Sequence, residues 1–188
     1  MSKVVIAGDA SGTGTFTISA PNGNTDRTLV LPDEAGTIIT TAGVPASAMP
    51  AGSVLQVVSS VITTSYYRAS ASTTYLATGI SISITPTKAS SKILVCFTGG
   101  DYDNLANGRQ VYLTIFRGAV NLGAGAAQSL ADIYSDVRTL ANISVSYLDT
   151  PNTTSSVTYE VYAKNAQGAC MVNNQSSALT AYAMEIAQ

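Results

Sequence analysis

Four aspartates are spaced as pairs able to act as acid and base, Asp101 with Asp103 and Asp132 with Asp136. Two carboxylates flanking a glycosidic bond are the minimum for its hydrolysis, one protonated and one ionised. That division of labour needs burial or crowding to drive the two pKa values apart. Both pairs sit in segments rich in Gly and Asn, where solvated carboxylates are the ordinary outcome, and no catalytic residue is assigned. Asp101, Asp103 and Asn104 also offer clustered oxygens suited to Ca2+. Their spacing is not that of an EF-hand loop, and solvated turn residues describe them better. The chain has no His, so a His-assisted nucleophile is excluded. Two Cys without His do not make a zinc site. Cys96 lies in the apolar run 93–97 and Cys170 precedes Met171 and Val172, so both read as packed thiols rather than a disulfide. Residues 8–14 (GDASGTG) lack the Lys-Ser/Thr pair and the helix of a phosphate-binding loop. No metal and no cofactor is expected, and the chain reads as a non-enzyme.

The constellation with functional promise is aromatic. Tyr66, Tyr67, Arg68 and Tyr75 flank one segment. Tyr102 accompanies Asn104, Asn107 and Arg109 in a second, and Tyr134 accompanies Asp132, Asp136 and Arg138 in a third. Tyrosine presents a flat apolar ring with a polar tip at low entropic cost, which suits recognition of sugars or protein surfaces. The competing role is core or subunit packing, which some of these rings must serve. Tyr102, Asn104, Asn107, Arg109, Tyr134 and Arg138 are the candidate ligand-binding residues, for a glycan or a protein surface.

Composition narrows the class of protein that carries them. The 188 residues hold only 11% charged side chains with 46% hydrophobic, and the formal net charge is -2. No basic run points to nucleic acid or to an anionic membrane. No stretch reaches the length of a bilayer span, and Asp9 follows the short apolar run 4–7 too soon for a signal-peptide core. Synthesis in a cytoplasm without membrane insertion is the expectation. So neutral a chain either wears a Ser/Thr surface or hides surface against copies of itself. Both are expected.

The elements that position the candidate residues fall in two parts. Residues 1–44 carry four short strand candidates, 4–6, 15–18, 28–31 and 37–39, separated by Gly-, Asn- and Pro-rich turns. Their few large apolar groups cannot close a core alone, so they read as an anchoring and assembly segment. A Pro- and Gly-containing linker covers 45–52. From residue 53 to 188 the strands lengthen. Alternation marks 80–84, 111–115, 143–147, 157–161 and 182–186, the last with Tyr182, Met184 and Ile186 as its apolar set. The run 92–97 reads as a strand covered on both faces. With short strands near Tyr75 and Met171, about eight result, as in an antiparallel jelly-roll-like sandwich. Residues 126–134 offer at most one or two helical turns, and 99–109 and 123–138 read as the longest irregular stretches.

Residues 12–21 (GTGTFTISAP), 28–32 (TLVLP) and 35–40 (AGTIIT) together resemble a module of tail-fibre-like proteins of marine and cyanobacterial phages. Residues 52–57 (GSVLQV), 84–86 (ITP), 90–95 (SSKILV), 148–151 (LDTP), 157–159 (VTY) and 184–186 (MEI) resemble, in that order, the C-terminal knob domain of such fibres. The resemblance spans nearly the whole chain. It implies a trimeric virion protein, assembled in the host cytoplasm, that joins other phage structural proteins through its N-terminal segment and contacts the host surface. It supplies no catalytic residue. Such fibres have a longer shaft than this chain shows, which leaves two roles open: a short tail fibre, or a decoration protein that cements the capsid. A free carbohydrate-binding module or glycan hydrolase is the third.

Overall fold

A computed structural model describes residues 11–15, 17, 22–26, 28, 44–105, 107–125, 127–174 and 177–188. The chain divides into two compact units, Met1–Ile38 and Ile39–Gln188. The strand candidates of the N-terminal part lie largely outside the described residues. In the second unit the expected linker contains one 3-10 turn, Ala46–Ala48, between extended Pro45 and Met49.

Eleven strands follow among the described residues: β1 (Val54–Ile62), β2 (Tyr66–Arg68), β3 (Ser72–Ile84), β4 (Lys92–Asp103), β5 (Arg109–Arg117), β6 (Val120–Asn121), β7 (Ala131–Ser135), β8 (Leu140–Asp149), β9 (Val157–Asn165), β10 (Cys170–Val172) and β11 (Leu179–Ile186). In the first sheet β4 is flanked by β8 on one edge and by β11 and then β10 on the other, with β1 beyond β11 and β2 beyond β10. The second sheet runs β3-β9-β5, and β7 and β6 share the remaining edge of β5. Every pairing is antiparallel. Once collinear pieces are merged, the sheets are β1-β11-β4-β8 and β3-β9-β5-β7, and the chain crosses between them as a jelly roll does. The sequence reading of an all-β sandwich with about eight strand positions holds.

Alternation explains the core. Ile80, Ile82 and Ile84 of β3 face Ile93, Val95 and Phe97 of β4 across the sandwich, with Val111, Leu113 and Ile115 of β5 in the same layer, all buried. Three expectations are corrected. β11 turns its other face inward: Ala181, Ala183 and Glu185 are buried, while Tyr182, Met184 and Ile186 stand half-buried on the outside. Small alanines fit beneath the bulky β4 side chains, so size rather than hydrophobicity selects the face. Residues 131–135 form a strand, not a helical turn, because Ala131 and Ile133 alternate inward beside β5. Residues 99–103 continue β4 instead of opening a loop. Gly99 and Gly100, at φ of 80° and 62°, form a bulge between Gly99 and Asp101 that the Gly-Gly pair disguised as a turn. A Cβ on Gly100 would lie 2.5 Å from Asn173 Oδ1, so a side chain here would displace Asn173 and strain a left-handed backbone.

Polar groups tie the layers together. Asp149 of the first sheet accepts hydrogen bonds from Tyr159 Oη at 2.8 Å and from Arg117 Nη1 at 2.9 and 2.8 Å, both from the second sheet. Fully buried Glu185 accepts from Gln56 Nε2, Thr87 N, Thr87 Oγ1 and Lys88 N at 2.7–3.1 Å. Burial alone would raise its pKa, but these donors hold it below the usual carboxylate range. The start and finish of the sandwich also meet, with Gly52 N donating to Ala187 O and Ala187 N to Ser53 O, each at 2.9 Å. Cys96 and Cys170 are buried free thiols.

Ile82 is 5% exposed and Ser83 faces solvent, bonded to Thr158. Ile82→Lys should cost several kcal/mol and abolish soluble folding, because it buries an unpaired charge. Ser83→Lys should melt like the parent. A parent-like melt for Ile82→Lys with a lowered one for Ser83→Lys would place the β3 register off by one residue.

Candidate functional site

The predicted site residues divide between scaffold and surface. Tyr102 is 0% exposed and belongs to the core, and Asn104 is buried as well. The bulge at Gly99 and Gly100 resets the alternation of β4, which turns Tyr102 inward. Asn104 Nδ2 donates to Val137 O at 3.1 Å, and its Oδ1 accepts from Thr139 N at 2.7 Å. These two assignments as ligand-binding residues are therefore corrected. Arg138 does converge with them, but on Asp103: its Nη2 and Nε lie 2.5 and 3.1 Å from the carboxylate, which also accepts from Leu105 N at 2.8 Å. Asn107 Oδ1 accepts from Arg138 N at 2.9 Å. The cluster is a clasp between the end of β4 and the β7–β8 connection. The Arg109 side chain lies outside the described residues; its backbone opens β5 opposite Ser135. Tyr134 stays at the surface, 58% exposed, its hydroxyl donating to Asp136 Oδ1 at 2.5 Å.

The other carboxylates are also engaged. Asp101 Oδ1 accepts from Asn174 N at 2.6 Å and Asp132 Oδ1 from Gln110 Nε2 at 2.8 Å. Asp103 and Asn104 are not the solvated turn residues that their Gly- and Asn-rich setting suggested. Among the described residues, no three His, Cys, Asp or Glu side chains gather as a metal-ligating group.

A different aromatic group stands on the outer face of the second sheet. Alternation points Val111, Leu113 and Ile115 inward, and so turns Tyr112 and Phe116 of β5 outward beside Tyr162 and Lys164 of β9. Phe116 and Tyr162 stack with centroids 4.0 Å apart, and Tyr75 of β3 tilts against Phe116 at 6.1 Å. The Lys164 ammonium sits between two rings, 4.5 Å from the centroid of Tyr75 and 4.8 Å from that of Tyr112. It donates to Ala127 O at 2.8 Å, which Tyr75 Oη also reaches at 3.0 Å. Burial, ahead of any neighbouring charge, pushes the Tyr75 hydroxyl up to about 12. A shallow cavity of about 370 Å3 opens here, lined by Ser72, Thr73, Tyr112, Ala127, Lys164 and Ala166. Opposite Tyr112 in the register stands Asp132, and opposite Gln110 stands Tyr134, so Tyr134 shares this face.

The chemistry on offer is a ring for stacking, an ammonium for an anionic or hydroxyl oxygen, and serine and threonine hydroxyls at the rim. Sequence reasoning singled out Tyr75 and Tyr134 and missed Tyr112, Phe116, Tyr162 and Lys164. The available signal was aromatic residues at the outward positions of an alternating strand.

The fold defines the chain as an antiparallel jelly-roll sandwich with an aromatic, lysine-bearing concavity on one face. No known protein family matches the sequence, and no curated protein matches it. Among solved structures, a chain from the structure of infectious bursal disease virus Gx strain is similar over 72% of this chain, with a TM-score of 0.41 and 10% sequence identity. This chain spans 43% of that neighbour.

The Asp103–Arg138 contact makes a pH prediction. The hydrogen bonds from Arg138 are the main reason that Asp103 lies below the usual carboxylate range. A carboxylate lowered in the folded state contributes stability above its unfolded pKa and loses it as pH falls through the folded value. Arg138→Gln should therefore melt a few degrees below the parent at pH 7. The gap should narrow as pH falls below ~4 and close once pH has passed the lowered folded value of Asp103, where its carboxyl is protonated in both proteins. Melting curves that stay parallel down to pH ~2 would mean that the pair contributes nothing.

Proposed function

We propose that this chain is a virion structural protein of a bacteriophage, a short tail fibre whose jelly-roll domain binds a saccharide on the host surface. It works as a homotrimer, joined to other phage structural proteins through residues 1–44, and it binds rather than catalyses. The observation that carries the binding role is the concavity around Lys164 and Tyr112. Its rings and hydroxyls stand on a paired four-strand sheet, so little ordering entropy opposes a ligand. The virion role is supported by the ordered resemblance of both chain parts to tail-fibre-like proteins, and by a low charge that suits a subunit of a larger assembly.

Phage adsorption and particle heat stability together test the reading. Tyr112→Ala and Lys164→Ala should each slow adsorption to host cells. Loss of an anchoring ring costs about 2 kcal/mol per site, and three linked copies amplify that loss. Tyr134→Ala should slow adsorption without changing the melting temperature, since its ring is exposed. Normal adsorption of all three, with particles that rupture at lower temperature, would replace the fibre with a decoration protein cementing the capsid.

A further inference from the structure

The outer face of the first sheet is made of four-residue rows that cross all four strands. The register aligns Val57, Met184, Leu94 and Leu148 as one entirely apolar row. The next row is Ser59, Tyr182, Cys96 and Ser146, and the one after it is Val61, Thr180, Thr98 and Ser144. These twelve positions hold no charged residue. Val57 and Leu148, at the two edges, are 56% and 48% exposed. Val54 and Val61 are exposed on the same face of β1. Apolar side chains scattered singly on a surface need no explanation, but a continuous row across a sheet marks an interaction site.

We propose that this face packs against a neighbouring copy of the same chain. The inference deepens the trimeric part of the function proposed above and rests on it. Charge selects the occupant: nucleic acid would need cations, and a charged peptide would leave its charges unpaired against valine, leucine and methionine. An apolar row bordered on one side by rows of neutral hydroxyls and on the other by Val54, Ile186 and Lys92 has the apolar core and polar rim of a subunit interface. Four strands about 4.8 Å apart and some 30 Å long present on the order of 550 Å2 per copy. Turned toward a threefold axis, each face is divided between two neighbours, so three copies together bury about 1,650 Å2, about 550 Å2 at each contact. The inward turn of Ala181, Ala183 and Glu185 has the same consequence, because it sends the largest apolar groups of β11 outward.

Sedimentation of the full-length chain at micromolar concentration is the test, with Val57→Lys and Leu148→Lys as variants and Ser83→Lys, on the opposite sheet, as control. The parent and the control should sediment as trimers. Each lysine on the first sheet should weaken assembly ~100-fold or more, because a charge is then desolvated at the contact. Should either variant fail to fold, alkylation provides a milder probe. A thiol placed by Ser59→Cys should react at least ~10-fold more slowly than one placed by Ser83→Cys, since only the first lies under a neighbour. Trimeric Val57→Lys and Leu148→Lys proteins, or equally fast alkylation of the two thiols, would overturn this face as the contact and leave the trimer standing. A monomeric parent would overturn both, and a monomer that floats with phosphatidylcholine–phosphatidylglycerol vesicles would give the face to lipid instead.

Discussion

The rest of the sandwich depends on satisfying β4 along both edges. Ile93, Val95 and Phe97 place its inner face beyond the reach of water, so its backbone donors and acceptors must be matched by other strands. β8 serves one edge over the whole length. The other edge is shared, first by β11 and then by β10, and the Gly99–Gly100 bulge lies where the partner changes. Asn173 secures the exchange: its backbone N–H bonds Asp101 O, and its Nδ2 bonds Ile62 O and Thr64 O where β1 ends. Everything at that end of the sandwich, including the Asp103–Arg138 clasp, follows from where β4 bends.

Three acidic side chains work at such junctions. Asp149 joins the two sheets, Glu185 fixes the β3–β4 crossover to β1 and β11, and Asp103 holds the β7–β8 connection. Each is buried and each has several donors. A buried carboxylate is tolerated only when fully hydrogen-bonded, and then it fixes one geometry among many that an apolar contact would allow. With such junctions a sparsely charged chain can still hold a single arrangement.

Much of this was legible in the sequence, and the failures share a cause. Strict alternation revealed the faces of β3, β5 and β9, and Pro and Gly marked where the strands begin after residue 52. Alternation fails where a bulge inserts an extra residue, which is why Tyr102 and Asn104 read as surface groups. It misleads on β11, where Tyr182, Met184 and Ile186 are more hydrophobic than the alanines that fill the core. The concavity escaped notice because Tyr75, Tyr112 and Lys164 lie on three different strands. Only the pairing of β3, β5 and β9 brings them together, and pairing is set by long-range packing rather than local pattern. Of the residues favoured from sequence, Tyr134 alone combines an exposed ring with a place on that face.

The hydrogen bonds joining Gly52 and Ser53 to Ala187 carry a consequence beyond stability. A domain whose two ends touch can be spliced into a surface loop of another polypeptide without stretching either partner. A coding segment cut near residues 52 and 187 carries the whole sandwich, with its strand order intact.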